Sequence, residues 1–182
     1  MMLRFEGLPR LIVVMTEQEL TRQIIALRDP MFRFARTLLL RRDEAEDAVA
    51  DVVARLWSAP QRMIGCRDLR AFALTAVRNR CYDLLRQRQA GARRADALTG
   101  MAEPTATNPV ERWEARELVR AAMAKLPHRQ REALHLKEIE GFATREIAAL
   151  FATDEAQVRV LLSRARCRLR EEVEKLMHHE TK

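Results

Sequence analysis

Glycine and proline are scarce in this sequence, with five and six residues among 182. Runs of β-branched residues are also nearly absent, whereas alanine, leucine, arginine and glutamate, which favour helices, dominate. A chain with so few strand formers and turn formers is poorly suited to building a sheet. We therefore predict an all-α fold.

Cysteine occurs only as Cys66, Cys81 and Cys167, and none of the three forms a CxxC pair. The four histidines are not placed to complete a zinc site. The chain also lacks a Gly-rich phosphate loop, metal-ligand spacing and a catalytic triad. These absences argue against an enzyme, and we expect no cofactor, no metal and no small-molecule substrate.

Long apolar runs are missing as well. No segment approaches the ~20 residues that span a bilayer, and the run Leu11–Met15 is too short for a signal peptide. A cytoplasmic location is therefore expected. Thr16 and Glu19 form a capping box, which predicts a natural start at Met15 and makes residues 1–15 an N-terminal extension.

Apolar residues recur at helical spacing through the first half of the chain. One helix is predicted to start at Asp29-Pro30, with proline at its first position. The next follows the charged turn Arg41–Glu44 and ends at Trp57, and another is capped by Asp68. Such amphipathic helices with short connections form small bundles, so residues 16–88 are predicted to be a first domain.

The apolar period disappears between Gln89 and Pro109, where Ala, Arg, Gly, Thr, Pro and Asn predominate. This composition is typical of a flexible linker. A linker of this length is unusual inside one compact domain. We therefore predict two small helical domains joined by residues 89–109, the second spanning residues 110–182.

The last third of the chain has the proportions of a helix-turn-helix. A short helix, Thr144–Phe151, is followed by the turn Ala152-Thr153-Asp154, which lacks the usual glycine. A long helix then runs from Glu155 towards Met177. Asp154 is its predicted N-cap, and Gln157, three residues later, completes a capping box. This pair predicts a DNA-binding unit whose second helix enters the major groove.

The long helix carries a strip of short side chains opposite its apolar face, with arginines on both edges of the strip. A merely solvated helix would mix Glu and Lys with Arg, but Val158–Arg170 contains five arginines and no acid. Short residues let a helix approach the base edges, and arginines reach phosphates or guanine. The basic net charge of +7 agrees with a polyanionic partner. The strip consists of Ala156, Val160, Ser163 and Cys167.

Ordered motifs run through both halves of the chain. The second domain contains Leu126-Pro127-His128-Arg129-Gln130-Arg131-Glu132, Glu140-Gly141-Phe142, Glu146-Ile147-Ala148 and Val158-Arg159…Ser163-Arg164-Ala165-Arg166. The first contains Arg33-Phe34-Ala35, Glu44-Ala45-Glu46-Asp47-Ala48-Val49 and Arg78-Asn79…Asp83-Leu84-Leu85-Arg86. They resemble the −35-binding and −10-binding domains of sigma-70-type transcription initiation factors. Two domains with no extra domain between them are similar to the extracytoplasmic-function group. The motif Val158-Arg159-Val160…Ser163-Arg164-Ala165-Arg166 is similar to that of members common in Bacteroidetes.

The resemblance implies an alternative sigma factor that binds core RNA polymerase, recognises −10 and −35 promoter elements and promotes initiation. It also implies an anti-sigma partner that masks the polymerase- and DNA-binding faces; a neighbouring gene for a membrane protein with a cytoplasmic anti-sigma segment would point to a membrane-anchored one. The alternative is a helix-turn-helix repressor or activator whose first domain only dimerises.

The resemblance also implies polymerase-binding and −10-binding residues, and the strip on the long helix supplies the −35 set. The residues assigned to polymerase binding could instead be ordinary solvated charges on the helix surface. Phe72 could pack in the core instead of stacking on a base. Within the −35 set, Gln157, Arg159, Val160, Ser163 and Arg164 are the candidates for reading bases. The polymerase set is Glu46, Asp47, Asp51 and Arg55; the −10 set is Arg67, Phe72, Arg78, Asn79 and Arg80; the −35 set is Thr144, Arg145, Gln157, Arg159, Val160, Ser163, Arg164, Arg166 and Arg168.

Overall fold

The computed structural model describes residues 17–59, 63, 66, 68–95 and 114–179. These ranges contain seven α-helices, one π-helical turn and no strand, which confirms the predicted all-α fold. The predicted start at Met15, its Thr16 cap, residues 96–113 and the site residue Arg67 lie outside the described residues. The helices are α1 (Glu17–Leu39), α2 (Arg42–Ser58), α3 (Leu69–Ala95), α4 (Glu114–Lys125), α5 (His128–Leu134), α6 (Thr144–Phe151) and α7 (Glu155–His179), with the π-turn His135–Ile139 after α5.

Helix α1 is continuous, so the predicted helix start at Asp29-Pro30 is wrong. Pro30 lies inside the helix, where its missing N–H removes a hydrogen bond and its ring crowds the preceding turn. The buried residues Ile24, Met31 and Leu38 are spaced by seven and continue one face across the proline. Packing of that face against α2 and α3 holds the helix together despite the proline.

The first domain consists of α1, α2 and α3. The predicted apolar stripe of α2 is buried at Ala45, Ala48, Val49, Val52 and Leu56, which confirms its orientation. Helix α3 begins as predicted, because the Ala71 N–H donates to Asp68 Oδ1 at 3.0 Å. It continues to the residue at position 95, and therefore extends through seven residues that the sequence pattern assigned to the linker.

The second domain consists of α4 to α7. Helix α6 has the predicted bounds, and α7 begins at the predicted residue. The Gln157 N–H donates to Asp154 Oδ1 at 2.7 Å, which confirms the predicted N-cap. Gly141 ends the preceding helical segment with a φ of +70°, as a glycine in the C′ position commonly does. The π-turn before it was not predicted.

The turn between α6 and α7 places Ala152 in the left-handed region, with a φ of +50° and a ψ of +52°. Glycine is preferred there because a Cβ crowds the following carbonyl oxygen. The Ala152 and Thr153 N–H groups nevertheless close the end of α6 by donating to Ala149 O and Ala148 O. The alanine therefore supports the helix-turn-helix geometry under local strain.

Replacing Ala152 with glycine is expected to stabilise the protein by about 0.5–1 kcal/mol, because relief of the left-handed strain exceeds the added entropy of the unfolded chain. Chemical denaturation of the full chain measures this difference. The matched control is Ala149→Gly, at an exposed position inside α6, which should destabilise by about 1 kcal/mol. Equal losses from both substitutions would contradict the strain argument.

The two domains pack against each other and do not lie apart. Buried residues of both belong to one hydrophobic core, with α1 contacting α5 and the π-turn. A chain of two domains on a tether does not require this arrangement. The contact is decided by residues far apart in sequence.

Candidate nucleic-acid interface

The recognition helix α7 presents the predicted strip to solvent. Val158, Leu162 and Ala165 are buried against α5 and the rest of the second domain. On the other side Ala156, Val160, Ser163 and Cys167 are all exposed. Val160 is an apolar residue with half of its surface in water (50%), so the strip is a smooth ridge that no other described residue covers.

The arginines on the edges of this strip are exposed at positions 159, 164, 166, 168 and 170. Two of them form surface ion pairs, Arg159 with Glu155 at 3.5 Å and Arg166 with Glu138 at 2.7 Å. Exposed pairs of this kind contribute about 0–1 kcal/mol. A DNA phosphate can therefore replace either carboxylate at small cost.

The remaining predicted −35 residues lie in the first turns of α6 and α7. Gln157 is exposed in the first turn of α7 and contacts the Thr153 hydroxyl. Thr144 is half-buried at the start of α6, and Arg145 beside it is exposed. The whole predicted set therefore lies on α7 and on the first turn of α6, and all of it except Thr144 is exposed.

The described residues of the predicted −10 set lie on α3. Asn79 is exposed, whereas Arg80 pairs with Asp51 of α2 at 2.6 Å. Arg78 is only 21% exposed and pairs with Glu132 of the second domain. Phe72 is half-buried and packs against the core, so the structure leaves only part of its ring available to a base.

A groove of about 650 Å³ lies between α1 and α2. Glu46 and Asp47 of the predicted polymerase set line this groove. Two exposed apolar residues line it as well, Ile25 (59% exposed) and Trp57 (51% exposed). The sequence pattern did not assign these two residues to a site. Trp57 was interpreted as the end of a helix, and only the tertiary fold reveals that its ring faces the groove.

Two carboxylates of the second domain are fully buried, and the arginines that pair with them belong to the first. Glu140 accepts hydrogen bonds from Arg33 at 3.1 Å and Arg70 at 2.6 Å. Glu132 accepts from Arg78 and, at 2.9 Å, from the Tyr82 hydroxyl. The sequence analysis did not predict this cluster. Glu132 and Glu140 were noted there only as members of family motifs, and no pattern indicated that they are buried or paired.

The two carboxylates differ in their acid–base behaviour. Burial alone would raise the pKa of Glu140, but hydrogen bonds from His135 and Arg70 and the charge of Arg33 lower it to about 2. Its ionised form therefore stabilises the structure above the ordinary pKa of 4.5, and this contribution is lost as the pH falls towards 2. Burial raises the pKa of Glu132, and Arg78 and Tyr82 offset this only in part.

A second groove, of about 770 Å³, lies where the domains meet. Three partly exposed apolar side chains, Leu40, Val119 and Ile139, line it together with arginines of both domains. In the part of the chain that the structure describes, no group of three or more His, Cys, Asp or Glu side chains is arranged to hold a metal ion. None of the described helices is long and apolar enough to cross a membrane.

Two family models match the chain, one in each domain. Sigma-70 region 2 matches residues 24–91, and Sigma-70 region 4 matches residues 116–169. A curated protein from Xanthomonas campestris pv. campestris, "Probable RNA polymerase sigma factor RfaY", is 31% identical over 144 residues. The match covers 75% of this chain and 36% of that protein, so this chain spans little more than a third of its relative's length.

Solved structures have the same fold. The sigma factor RpoE, in complex with the anti-sigma factor NepR from Bartonella quintana, is similar with a TM-score of 0.72 and 24% identity, over 86% of this chain and 98% of that one. CnrH, in complex with the cytosolic domain of CnrY, is similar with a TM-score of 0.65 and 21% identity, over 88% and 90%. At these identities the likeness establishes the fold alone.

Proposed function

This chain belongs to the sigma-70 family, of which it carries regions 2 and 4, and we propose that it is an alternative sigma factor of the extracytoplasmic-function group. In this role it binds core RNA polymerase, recognises −10 and −35 promoter elements and promotes initiation, with no catalysis of its own. The observation that carries the proposal is the exposed, arginine-edged strip of α7 in the same chain as region 2. A repressor needs the first of these features but not the second.

The −35 element is read by α7 in this proposal. The strip of short residues admits the helix to the major groove, and the arginines on its edges reach phosphates and guanine edges. The N-terminal half of α7 enters deepest, which assigns base reading to Gln157, Arg159, Val160, Ser163 and Arg164. Thr144, Arg145, Arg166 and Arg168 position the domain on the backbone.

The polymerase-binding surface is the groove between α1 and α2. It combines a half-exposed tryptophan with acidic side chains on one edge, the combination of apolar anchor and charged rim that is typical of protein interfaces. Asp47 and Glu46 line the groove, whereas Arg55 is exposed on α2 outside its lining. Asp51 is held by Arg80 and therefore acts at the junction of the polymerase and −10 surfaces.

An anti-sigma partner is the third element of the proposal. Both solved relatives are in complexes, one with an anti-sigma factor and one with a cytosolic domain of a second protein. We extend control by an anti-sigma factor to the present chain and place it in the cytoplasm. A membrane-anchored anti-sigma factor is the first candidate to test. The likeness to Bacteroidetes members is a further prediction that a phylogeny of region 4 would test.

In vitro transcription with purified core polymerase tests the function. We expect this chain to direct initiation from a promoter selected out of a random −35/−10 library, and to give no transcripts without core enzyme. The competing function, a dimeric repressor or activator, predicts sequence-specific binding to duplex DNA by the chain alone, as a dimer, with no recruitment of polymerase. Analytical ultracentrifugation of the free chain and of its DNA complex separates the two.

Replacing Arg164 with alanine is expected to cost about 1–3 kcal/mol of discrimination at one base pair of the −35 element, because the side chain reads a base edge. Binding to a panel of single-base promoter variants measures this loss. The matched control is Arg168→Ala, about one turn beyond Arg164 on the same helix, which should weaken all sequences equally as a phosphate contact does. An equal loss on every sequence for Arg164→Ala would make it a phosphate contact too.

A further inference from the structure

The groove between the two domains has an apolar lining. Leu40 directly after α1, Val119 of α4 and Ile139 of the π-turn line it, and each keeps about half of its surface in water (45%, 47% and 53%). Phe32 and Met123 line it as well and pack against the core. Its volume of about 770 Å³ lies within the range of roughly 300–1,000 Å³ that is usual for small-molecule pockets. The groove is therefore large and apolar enough to hold a small ligand.

Leu40 has a backbone conformation that leucine rarely adopts. Its φ is +67°, in the left-handed region where a Cβ crowds the carbonyl oxygen and glycine is preferred. The Leu40 N–H donates to Arg36 O at 3.1 Å at the end of α1, a position that glycine would fill without strain. Strained residues of this kind cluster at ligand-binding sites, which favours a binding role for this exposed side chain.

The ionisable side chains that line the groove are basic. Among the described residues of its lining there are four arginines and one histidine, and no carboxylate. The groove between α1 and α2 is similar in size, but Asp29, Glu46 and Asp47 line it. An anionic ligand is therefore favoured in the groove between the domains and disfavoured in the groove between α1 and α2. The basic residues are Arg33, Arg36, Arg120, Arg131 and His135.

The guanidinium of Arg36 is the one best placed to receive an anion. The other arginines of the lining are held by carboxylates or by backbone carbonyl oxygens. Arg36 is half-buried, and within the described part of the chain its side chain has no hydrogen bond and no ion pair. Burial lowers its pKa, and the charges of Arg120 and Arg42 lower it further. An anion that enters the groove would therefore stabilise the charged form of Arg36.

We propose that this groove binds a long-chain carboxylate, with the hydrocarbon chain against Leu40, Val119 and Ile139 and the head group on Arg36. A single unengaged guanidinium suits a carboxylate, because its planar fork donates two parallel hydrogen bonds to the two oxygens. A dianionic phosphate would need further unengaged donors. Binding involves no reaction, and it is independent of the proposed function because it needs neither DNA nor polymerase.

A helix of a partner protein fits the groove less well than a single hydrocarbon chain does. An α-helix is about 10 Å across and rises about 11 Å in two turns, so two turns would occupy roughly 850 Å³. This is more than the volume of the whole groove. The basic lining would also have to face an acidic helix, whereas one carboxylate is enough for Arg36.

Isothermal titration calorimetry of the full chain tests the site, with dodecanoate below its critical micelle concentration as the probe. We expect one dodecanoate to bind per chain. Dodecyltrimethylammonium has the same chain length and a positive head group, and it should bind at least ten-fold more weakly because its charge faces arginines. Hexanoate has the same head group and a shorter chain, and it should also bind at least ten-fold more weakly because it buries less apolar surface.

Two variants test where the ligand lies. Arg36→Gln removes the guanidinium and should weaken dodecanoate binding about ten-fold, through loss of charge-assisted hydrogen bonds. Leu40→Gly removes apolar lining and should weaken binding about five-fold, whereas the fold is retained because glycine suits the φ of +67°. The matched control is Arg22→Gln, at an exposed arginine of α1 that pairs with Glu19 at 3.1 Å and does not line the groove. This control should bind dodecanoate as the wild type does.

Circular dichroism of each variant establishes that the helices are retained. Wild-type affinity for dodecanoate in both Arg36→Gln and Leu40→Gly would overturn the site, since the ligand would then lie elsewhere on the chain. Absence of dodecanoate binding by the wild type would leave the groove to another occupant, such as a partner helix, and would overturn the proposal.

Equal affinity for dodecyltrimethylammonium would overturn the anionic ligand, and tighter binding of dodecyl phosphate would overturn the carboxylate. Failure of the chain to support transcription would reject the proposed function separately and would leave the calorimetric result unchanged.

Discussion

Replacing Trp57 with alanine is expected to weaken binding to core RNA polymerase by about 30- to 700-fold, the range that corresponds to loss of an aromatic hot spot worth about 2–4 kcal/mol. The indole is half exposed (51%) at the end of α2 and lines the groove between α1 and α2 beside Asp47. A tryptophan that lines a groove buries a large rigid surface on binding at low entropic cost. Competition against a labelled wild-type chain for core enzyme measures the loss.

Leu40→Ala provides the control for this experiment. Leu40 is a similarly exposed apolar residue of the first domain (45%), but it faces the groove between the domains. Its substitution should leave polymerase binding within about two-fold, because it lies outside the proposed interface. Binding of a duplex −35 element should be unchanged in both variants. A loss in polymerase binding that is the same for Leu40→Ala and Trp57→Ala would assign the effect to the fold and remove the groove from the interface.

Replacing Arg131 with methionine should lower the free energy of unfolding by about 3–5 kcal/mol, the largest stability change that we expect from one substitution. The guanidinium is almost fully buried (3%). It donates to the carbonyl oxygens of Met123, Ala124 and Leu126 at 2.8, 2.6 and 2.9 Å. The Met123 carbonyl also accepts from the Leu126 N–H at 3.1 Å, but carbonyls at a helix end lack helical partners, so methionine would take away the donor to the carbonyls of Ala124 and Leu126.

Two further variants define the cause of that loss. Arg131→Lys keeps a positive charge but not the planar fork that reaches several carbonyls at once, so it should recover less than half of the stability. Arg120→Met removes an exposed arginine and should change the free energy of unfolding by at most about 0.5 kcal/mol. Urea denaturation followed by circular dichroism measures all three. If the free energy of unfolding of Arg131→Met lies within about 1 kcal/mol of the wild-type value, the prediction is wrong, because the carbonyls then have other hydrogen-bond donors.

The helix-turn-helix was predicted to the residue at three of its four boundaries because its signals are local. Asp154 caps α7 through a backbone N–H three residues away, and such a signal depends on no other part of the chain. The buried stripe of α2 was predicted for the same reason, since a spacing of three and four residues defines one face. Pro30 shows the limit of local signals: it resembles a helix start, but packing of its neighbours keeps α1 continuous.

The sequence by itself determined the helical fold, the family and the exposed arginine-edged strip of α7, because capping and periodicity act within a few turns. Only the tertiary structure decided where the charges of the two domains pair. Glu140 meets Arg33 across 107 residues, and Glu132 meets Arg78 across 54; no local pattern encodes a pairing at such distance. The same packing set the groove beside Trp57 and brought the two domains into contact, because burial of a shared core is a property of the whole fold.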